Sequence, residues 1–319
     1  MARYPFMVYV NDFMDKMHEL YAPVTWRTVM RRYRRINIDM IALHRDKKIK
    51  TLSPKMMDID DVHAYLSYRR SLNYTGKEYS HDYSAMHNLF AFVKNDAFDD
   101  CLTNYPLFRQ YKRQVRLPPL DDNVYQAILS RASEIAPDDF PRLRAYALVL
   151  LCIRAGMRTK EIRLADVRDL DTKDWMMDII HVKGEASYGE PRSVPLLGEI
   201  RPTVESYLSV RKKWLVDNNI QSTALFPSPS SSDGYMSSNS LRRVKSLVEK
   251  EIGVNFDFRT LRRTFGQQYL DAGADIKTVS VLMGHNSTLT TERNYARKRS
   301  DKAIKTIRAI WEDIRNEKR

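Results

Sequence analysis

Two adjacent prolines, Pro118 and Pro119 in "LPPLDD" (117–122), interrupt a chain whose apolar residues otherwise recur mostly at helical spacing. Neither can continue a helix, and each pushes the residue before it away from helical backbone angles. The break predicts a boundary: one domain over 1–116, a linker over 117–122 and a second domain over 123–319. The 319 residues, 43% apolar, are enough for two ordinary cores.

Before the break, "TWRTVMRRYRRINIDMIALHRD" from Thr25, "DIDDVHAYLSYRR" from Asp58 and "SHDYSAMHNLFAFVKN" from Ser80 predict helices, with Asp58 and Ser80 as N-caps. After it, Asp121 or Asp122 caps "NVYQAILSRASEI", and Gly156 ends the largely apolar helix "RLRAYALVLLCIRAG". Strand signals are confined to "WMMDIIHVKG" (175–184) and "EPRSVPL" (190–196), which predict a hairpin. A Ser/Pro/Gly loop, "FPSPSSSDGYMSSNS" (226–240), precedes further helix. The fold class is therefore mainly α, of α+β type, with a small antiparallel sheet in the second half.

Charge narrows the function. Lys and Arg number 53 against 40 acids, a formal net charge of +13, so a polyanion is the expected partner, with nucleic acid ahead of an anionic membrane surface. No stretch approaches the roughly 20 apolar residues of a spanning helix, and "MARYPFMVYVNDFMDKMHEL" mixes acids and bases unlike a signal peptide. A cytoplasmic location is expected. Cys101 and Cys152 sit in apolar settings and read as reduced core thiols. There is no P-loop, no H-E-x-x-H site and no acidic triad; Asp60–Asp61, Asp99–Asp100 and Asp121–Asp122 read as caps and solvated loops. No metal or cofactor is expected.

"FRTLRRTFGQQYLDAG" (258–273) crowds Arg259, Arg262 and Arg263 at the mouth of a helix. Permanently charged guanidiniums that close repel one another unless an anion is brought between them. Three other segments carry reactive side chains: Arg158 and Glu161 in "AGMRTKEIRLADV", Lys183 at the hairpin tip in "HVKGEASYGEPRSVPL", and His285 and Tyr295 in "LMGHNSTLTTERNYARKRS".

"GMRTKEI", "VKGE", "RTLRRTF" and "MGHNSTLTTERNY" together resemble, in order and spacing, the strings of the tyrosine recombinases, the family of phage integrases and Xer-type enzymes. Each string alone is common; four in order are specific. The resemblance covers about 120–300 closely and 20–106 loosely, where the helices are similar to the family's core-binding domain. It implies a helical core-binding domain and a mostly helical catalytic domain that close as a C-shaped clamp on double-stranded DNA, with a homo-oligomer, a tetramer, in the synapse. It implies Tyr295 as the nucleophile that leaves a 3′-phosphotyrosyl link, Arg158 and Arg262 as the pair that stabilises the phosphorane charge, Lys183 as general acid, and His285 and Arg259 as further phosphate contacts. The alternatives are a type IB topoisomerase, which only relaxes DNA, and a catalytically silent DNA-binding module.

Two features depart from the family pattern. Arg259 stands where His or Lys is usual, so this position donates hydrogen bonds but does not accept a proton. Tyr295 follows His285 at one residue more than the commonest spacing. Outside the motifs, Arg27, Arg31, Arg34 and Arg35 in "WRTVMRRYRRI" read as a DNA-backbone face, and Arg263 reads equally as a backbone contact or surface ion pair and as a member of the site. Tyr235 and Tyr269 read as loop and core residues, and Ala303, Ile304, Ile307, Ile310, Trp311 and Ile314 as an apolar helical stripe that packs on its own domain or on a neighbouring protomer.

Overall fold

The computed structural model describes residues 5–72, 76–109, 118–185, 189–196 and 198–285. The chain divides into two compact units, Met1–Arg116 and Leu117–Arg319.

The first unit contains α1 (Pro5–Lys16), α2 (Pro23–Arg45), α3 (Ile59–Ser71), α4 (Gly76–Val93) and α5 (Ala97–Asn104). Pro23 opens α2, where its missing N–H costs nothing. Met30, Tyr33, Ile36, Met40 and Leu43 recur every three or four residues, form one face of α2 and are buried. Asp58 caps α3, accepting from the Asp61 amide at 3.0 Å, as its sequence position predicts. Ser80 does not cap α4: the helix starts at Gly76, and the Ser80 carbonyl accepts from Ser84 Oγ inside it. Nor is Asp61 solvated. It is 2% exposed and accepts from the Lys50 amide at 2.6 Å, because the loop before α3 folds back over it.

A buried ionic network joins three of these helices. Asp82 of α4 pairs with Arg32 and Arg35 of α2 and with Arg69 of α3, and Arg69 also reaches Asp39 at 3.2 Å. Unpaired, each buried charge would cost several kcal/mol, so the network fixes how α2, α3 and α4 face one another. The Tyr33 hydroxyl adds a bond to the Ala85 carbonyl at 2.7 Å.

The second unit is organised around α7 (Phe140–Arg154), which is buried on all sides from Ala145 to Arg154. Around it lie α6 (Asp122–Ser133), α9 (Arg201–Asp217), α10 (Ser238–Ile252) and α11 (Phe258–Asp271). Each fully buried leucine on α7 contributes about 1.5–3 kcal/mol, which explains why this segment is apolar throughout rather than on one stripe. Asp121 stands at the N-cap position of α6 but makes no side-chain cap bond. Cys101 and Cys152 are both free and buried.

Gly156 follows α7 with φ +57°, and a Cβ there would lie 2.6 Å from the Phe265 ring. Glycine is thus required by backbone angle and by close packing of α11. Beyond it come α8 (Thr159–Leu164) and a three-stranded antiparallel sheet: β1 (Leu170–Asp171), β2 (Met176–Ile179) and β3 (Arg192–Pro195). The sequence announces only β2 and β3; β1 is two residues long, too short for any periodicity. Met177, Ile179 and Val194 point into the core while Asp178, Ser193 and Pro195 face out, which fixes the register Met177↔Val194 and Ile179↔Arg192. A short helix, α12 (Ile276–Leu282), capped by Asp275, completes the described chain. Among the described residues, no helix is long and apolar enough to cross a membrane.

Candidate functional site

Arg158 is the N-cap residue of α8, immediately after the turn made by Gly156. Its position is set by Glu161, one helical turn on, whose carboxylate accepts from the Arg158 amide at 2.8 Å and from Arg158 Nη1 at 2.6 Å. Arg262 projects from the buried side of α11, whose first turn is capped by Asp257 accepting from the Thr260 amide at 2.7 Å. Arg262 Nη1 donates to the Gly156 carbonyl at 2.5 Å and lies 3.7 Å from Glu161. The two arginines therefore meet through the same turn and the same carboxylate.

Both also converge on the end of α12. The carbonyls of Leu282, Met283 and Gly284 are successive acceptors, and each takes a hydrogen bond from a different arginine. Arg192 Nε donates to Leu282 at 2.7 Å, Arg262 Nη2 to Met283, and Arg158 Nη2 to Gly284 at 2.8 Å. Backbone acceptors left over at a helix end are a natural seat for cations. Gly284, at φ +59°, then turns the chain into His285.

Arg192, the first residue of β3, was not singled out by any motif. Its guanidinium also holds Glu161, at 2.8 Å and 3.3 Å. An arginine at the start of a short strand is indistinguishable in sequence from a solvated one; the only cue is its place in "EPRSVPL", between the hairpin and a buried strand.

Glu161 is completely buried, with 0% side-chain exposure. Burial alone would raise its pKa. The Arg192 hydrogen bond, then the charges of Arg192 and Arg262 and the Arg158 amide, reverse that and hold it at about 2. One carboxylate does not neutralise three guanidiniums, so this group of side chains keeps a net positive charge. His285 responds in the opposite sense: burial, then the charges of Arg262, Arg158 and Arg192, push its pKa down to about 4. It is a neutral imidazole at pH 7, able to donate one hydrogen bond and accept another.

The remaining sequence-derived residues are distributed as follows. Lys183 is exposed in the turn beyond β2, on the hairpin whose last paired rung is Ile179↔Arg192. Arg259 is exposed in the first turn of α11, one turn before Arg262, and Arg263 is half-buried beside it. Tyr295 and the stripe from Ala303 to Ile314 lie outside the described residues. In the first unit, Arg27, Arg31 and Arg34 are exposed along one side of α2. Arg35 differs from expectation: it turns to α4, where it pairs with Glu78 at 3.1 Å and with Asp82, so its charge is internally compensated. Tyr33, which lies among these arginines in sequence, is buried. Tyr269 packs on Phe265 with ring centroids 4.8 Å apart, and the Tyr235 hydroxyl donates to Asp166 at 2.9 Å.

What this arrangement offers chemically is a preorganised receptor for a tetrahedral or pentavalent oxyanion, its donors held by backbone carbonyls and a buried acid before any ligand arrives.

Residues 119–302 match the Phage integrase family. The chain is 30% identical over 182 residues to tyrosine recombinase XerC of Pseudomonas fluorescens, covering 57% of this chain and 57% of that protein. It is 26% identical over 259 residues to tyrosine recombinase XerD of Shewanella oneidensis, covering 78% of this chain and 81% of that one. The match to XerC thus spans little more than half of the relative's length. In fold, the chain is similar to the XerH site-specific recombinase solved on a palindromic difH substrate in a post-cleavage complex (TM-score 0.64, 17% identity, 91% of this chain and 80% of that one). It is also similar to the Tn1549 transposon integrase solved with transposon right end DNA (TM-score 0.62, 14% identity, 92% and 98%).

Proposed function

The chain belongs to the phage integrase family, and on that premise we propose that it is a site-specific DNA recombinase that cuts and rejoins strands through a 3′-phosphotyrosyl intermediate. The observation that carries this reading is the meeting of Arg158, Arg262 and His285 around the end of α12, from three separate segments.

In the proposed reaction the scissile phosphodiester enters beside Arg158 and Arg262. Their guanidinium groups, already oriented by Glu161 and the α12 carbonyls, stabilise the charge that grows on the non-bridging oxygens. The Tyr295 oxygen attacks phosphorus as its proton passes to solvent water; the bond from phosphorus to the 5′-oxygen breaks, and Lys183 supplies the proton that this oxygen takes up. His285, neutral at pH 7, donates to a non-bridging oxygen. Arg259 adds a further donor one turn from Arg262. A phosphodiester is exchanged for a phosphotyrosine of similar energy, so attack by another strand's 5′-hydroxyl reseals the DNA with neither metal nor ATP.

On this reading the partner is double-stranded DNA in the cytoplasm. The second unit is the catalytic domain and the first the core-binding domain, with Arg27, Arg31 and Arg34 facing the DNA backbone and Arg263 assisting from the second unit. The enzyme acts as a homo-oligomer, a tetramer across two duplexes. A plasmid carrying two copies of the target site tests the reaction class. Recombinant products support strand exchange, whereas relaxed plasmid without recombinants identifies a topoisomerase-like activity.

A further inference from the structure

The β2–β3 hairpin carries Lys183, and its last paired rung is Ile179↔Arg192. Beyond that rung the chain leaves the sheet, and the placement of Lys183 depends on the hairpin's root and on Val182, which is buried in the core beside it. Arg192 is that root, and it is 7% exposed. Its guanidinium is fully committed to two other elements: Glu161 in α8 and the Leu282 carbonyl at the end of α12. It also lies directly beneath the turn to His285, where a Cβ on Gly284 would stand 2.9 Å from Arg192 Nη1.

Further out, among the described residues, Val182 packs into the core at 2% exposure and the Gly189 amide donates to the Gly184 carbonyl at 2.8 Å. Lys160 reaches Glu185 at 3.1 Å and the Val182 carbonyl at 3.4 Å, and His181 meets Glu185 at 3.0 Å. The two ion pairs to Glu185 are exposed, and such pairs are worth little. The strong tie between the hairpin and the arginine site is Arg192. An apolar residue would fill the same space, but it would fix neither the distance nor the angle between β3 and α12; the planar guanidinium fixes both.

We propose that Arg192 is a positioning residue for proton transfer: by clamping the root of the β2–β3 hairpin to Glu161 and Leu282, it places Lys183 within reach of the departing 5′-oxygen. This inference rests on the proposed cleavage reaction. It goes beyond it by assigning a role to a residue outside the phosphate-binding set, and by stating that this role is exercised through the leaving group rather than through the phosphate oxygens.

The distinction is measurable. A DNA substrate with sulfur in place of the scissile 5′-bridging oxygen expels a thiolate, which leaves without a proton and needs no general acid. The ratio of single-turnover cleavage rates on sulfur and oxygen substrates, measured on the full chain, isolates the proton-transfer step and is unaffected by the fraction of folded enzyme. Lys183→Ala is expected to cleave the oxygen substrate at least about 100-fold more slowly and to recover on sulfur. Arg192→Gln is expected to follow it, and Arg192→Lys, which retains the charge but not the planar fork, to give an intermediate ratio. If Arg192→Gln and Arg192→Lys slow both substrates equally while Lys183→Ala shows the sulfur rescue, Arg192 acts on the phosphate site or on packing alone, and the proposal is overturned. If wild-type protein cleaves neither substrate, the cleavage reading itself fails, and the inference falls with it.

Discussion

Arg158 at the start of α8 and Arg262 in α11, far apart in the chain, donate to the neighbouring carbonyls of Gly284 and Met283 and share the carboxylate of Glu161. Their convergence is built from main-chain acceptors and one buried acid, so it exists before DNA arrives. The fold thus bears the cost of bringing like charges together, which on the proposed reaction a phosphate entering the site would relieve.

Glu161 should be the most sensitive position for stability. Glu161→Gln preserves the shape but leaves three guanidiniums facing a neutral amide, and breaking a buried ion pair from one side costs about 3–5 kcal/mol. Denaturant unfolding of the full chain measures this; a loss under about 1 kcal/mol would mean that the carboxylate is not what holds the arginines.

The same cluster predicts acid sensitivity in two stages. His285 has its pKa lowered from 6.5 to about 4, so the unfolded chain binds its proton first and stability falls as pH drops from about 6.5. Glu161 is lowered from 4.5 to about 2, so its contribution is fully present above about 4.5 and is lost as pH falls towards 2. Unfolding midpoints measured against pH should therefore bend in both windows, and His285→Asn should remove the upper bend while leaving the lower one.

Bound phosphate should reverse the shift on His285. The charges of Arg262, Arg158 and Arg192 help to depress it, after burial, and a phosphodiester bound beside Arg158 and Arg262 would offset them. Imidazole resonances followed by NMR should titrate near pH 4 in the free protein and higher on DNA. An unchanged titration on a bound duplex would place the phosphate elsewhere.

The basic face of the first unit gives a separate prediction. Alanine at Arg27, Arg31 or Arg34 should lower the slope of log affinity against log salt by about 1 each, with little change in stability. Arg35→Ala should do the reverse, because Arg35 is spent on Glu78 and Asp82. Its loss should lower the melting temperature and leave the salt slope nearly intact.

Arg35 also shows where sequence reasoning stops. Helical spacing puts Arg27, Arg31 and Arg34 on one side of α2, and they are exposed there. Whether the next arginine meets solvent or an acid depends on α4, which the sequence of α2 does not contain. Arg158, Arg262 and His285 stand out in the sequence because each sits in one of the strings that resemble the tyrosine recombinases, "GMRTKEI", "RTLRRTF" and "MGHNSTLTTERNY". Arg192 was not, since its partners, Glu161 and Leu282, are distant in the chain and nothing in "EPRSVPL" marks a buried cation. Ser80 misled for a related reason: a serine after turn-forming residues has cap chemistry, but α4 begins one turn earlier at Gly76.

On the proposed reaction, replacing Arg158 or Arg262 should cost catalysis more than binding. Lysine at 158 or 262 keeps the charge but gives up the fork that spans a carbonyl and a phosphate, and losing one such oriented donor costs about 100- to 1000-fold in rate. Single-turnover cleavage with saturating protein separates that loss from affinity.

The most direct measurement is covalent trapping on a suicide duplex nicked beside the cleavage point, so that the freed 5′-fragment diffuses away. Wild-type protein is expected to accumulate as a DNA adduct stable to denaturant, and Tyr295→Phe to bind the same duplex without forming one. An adduct formed equally by Tyr295→Phe, or wild-type binding with no adduct at all, would contradict the proposed reaction.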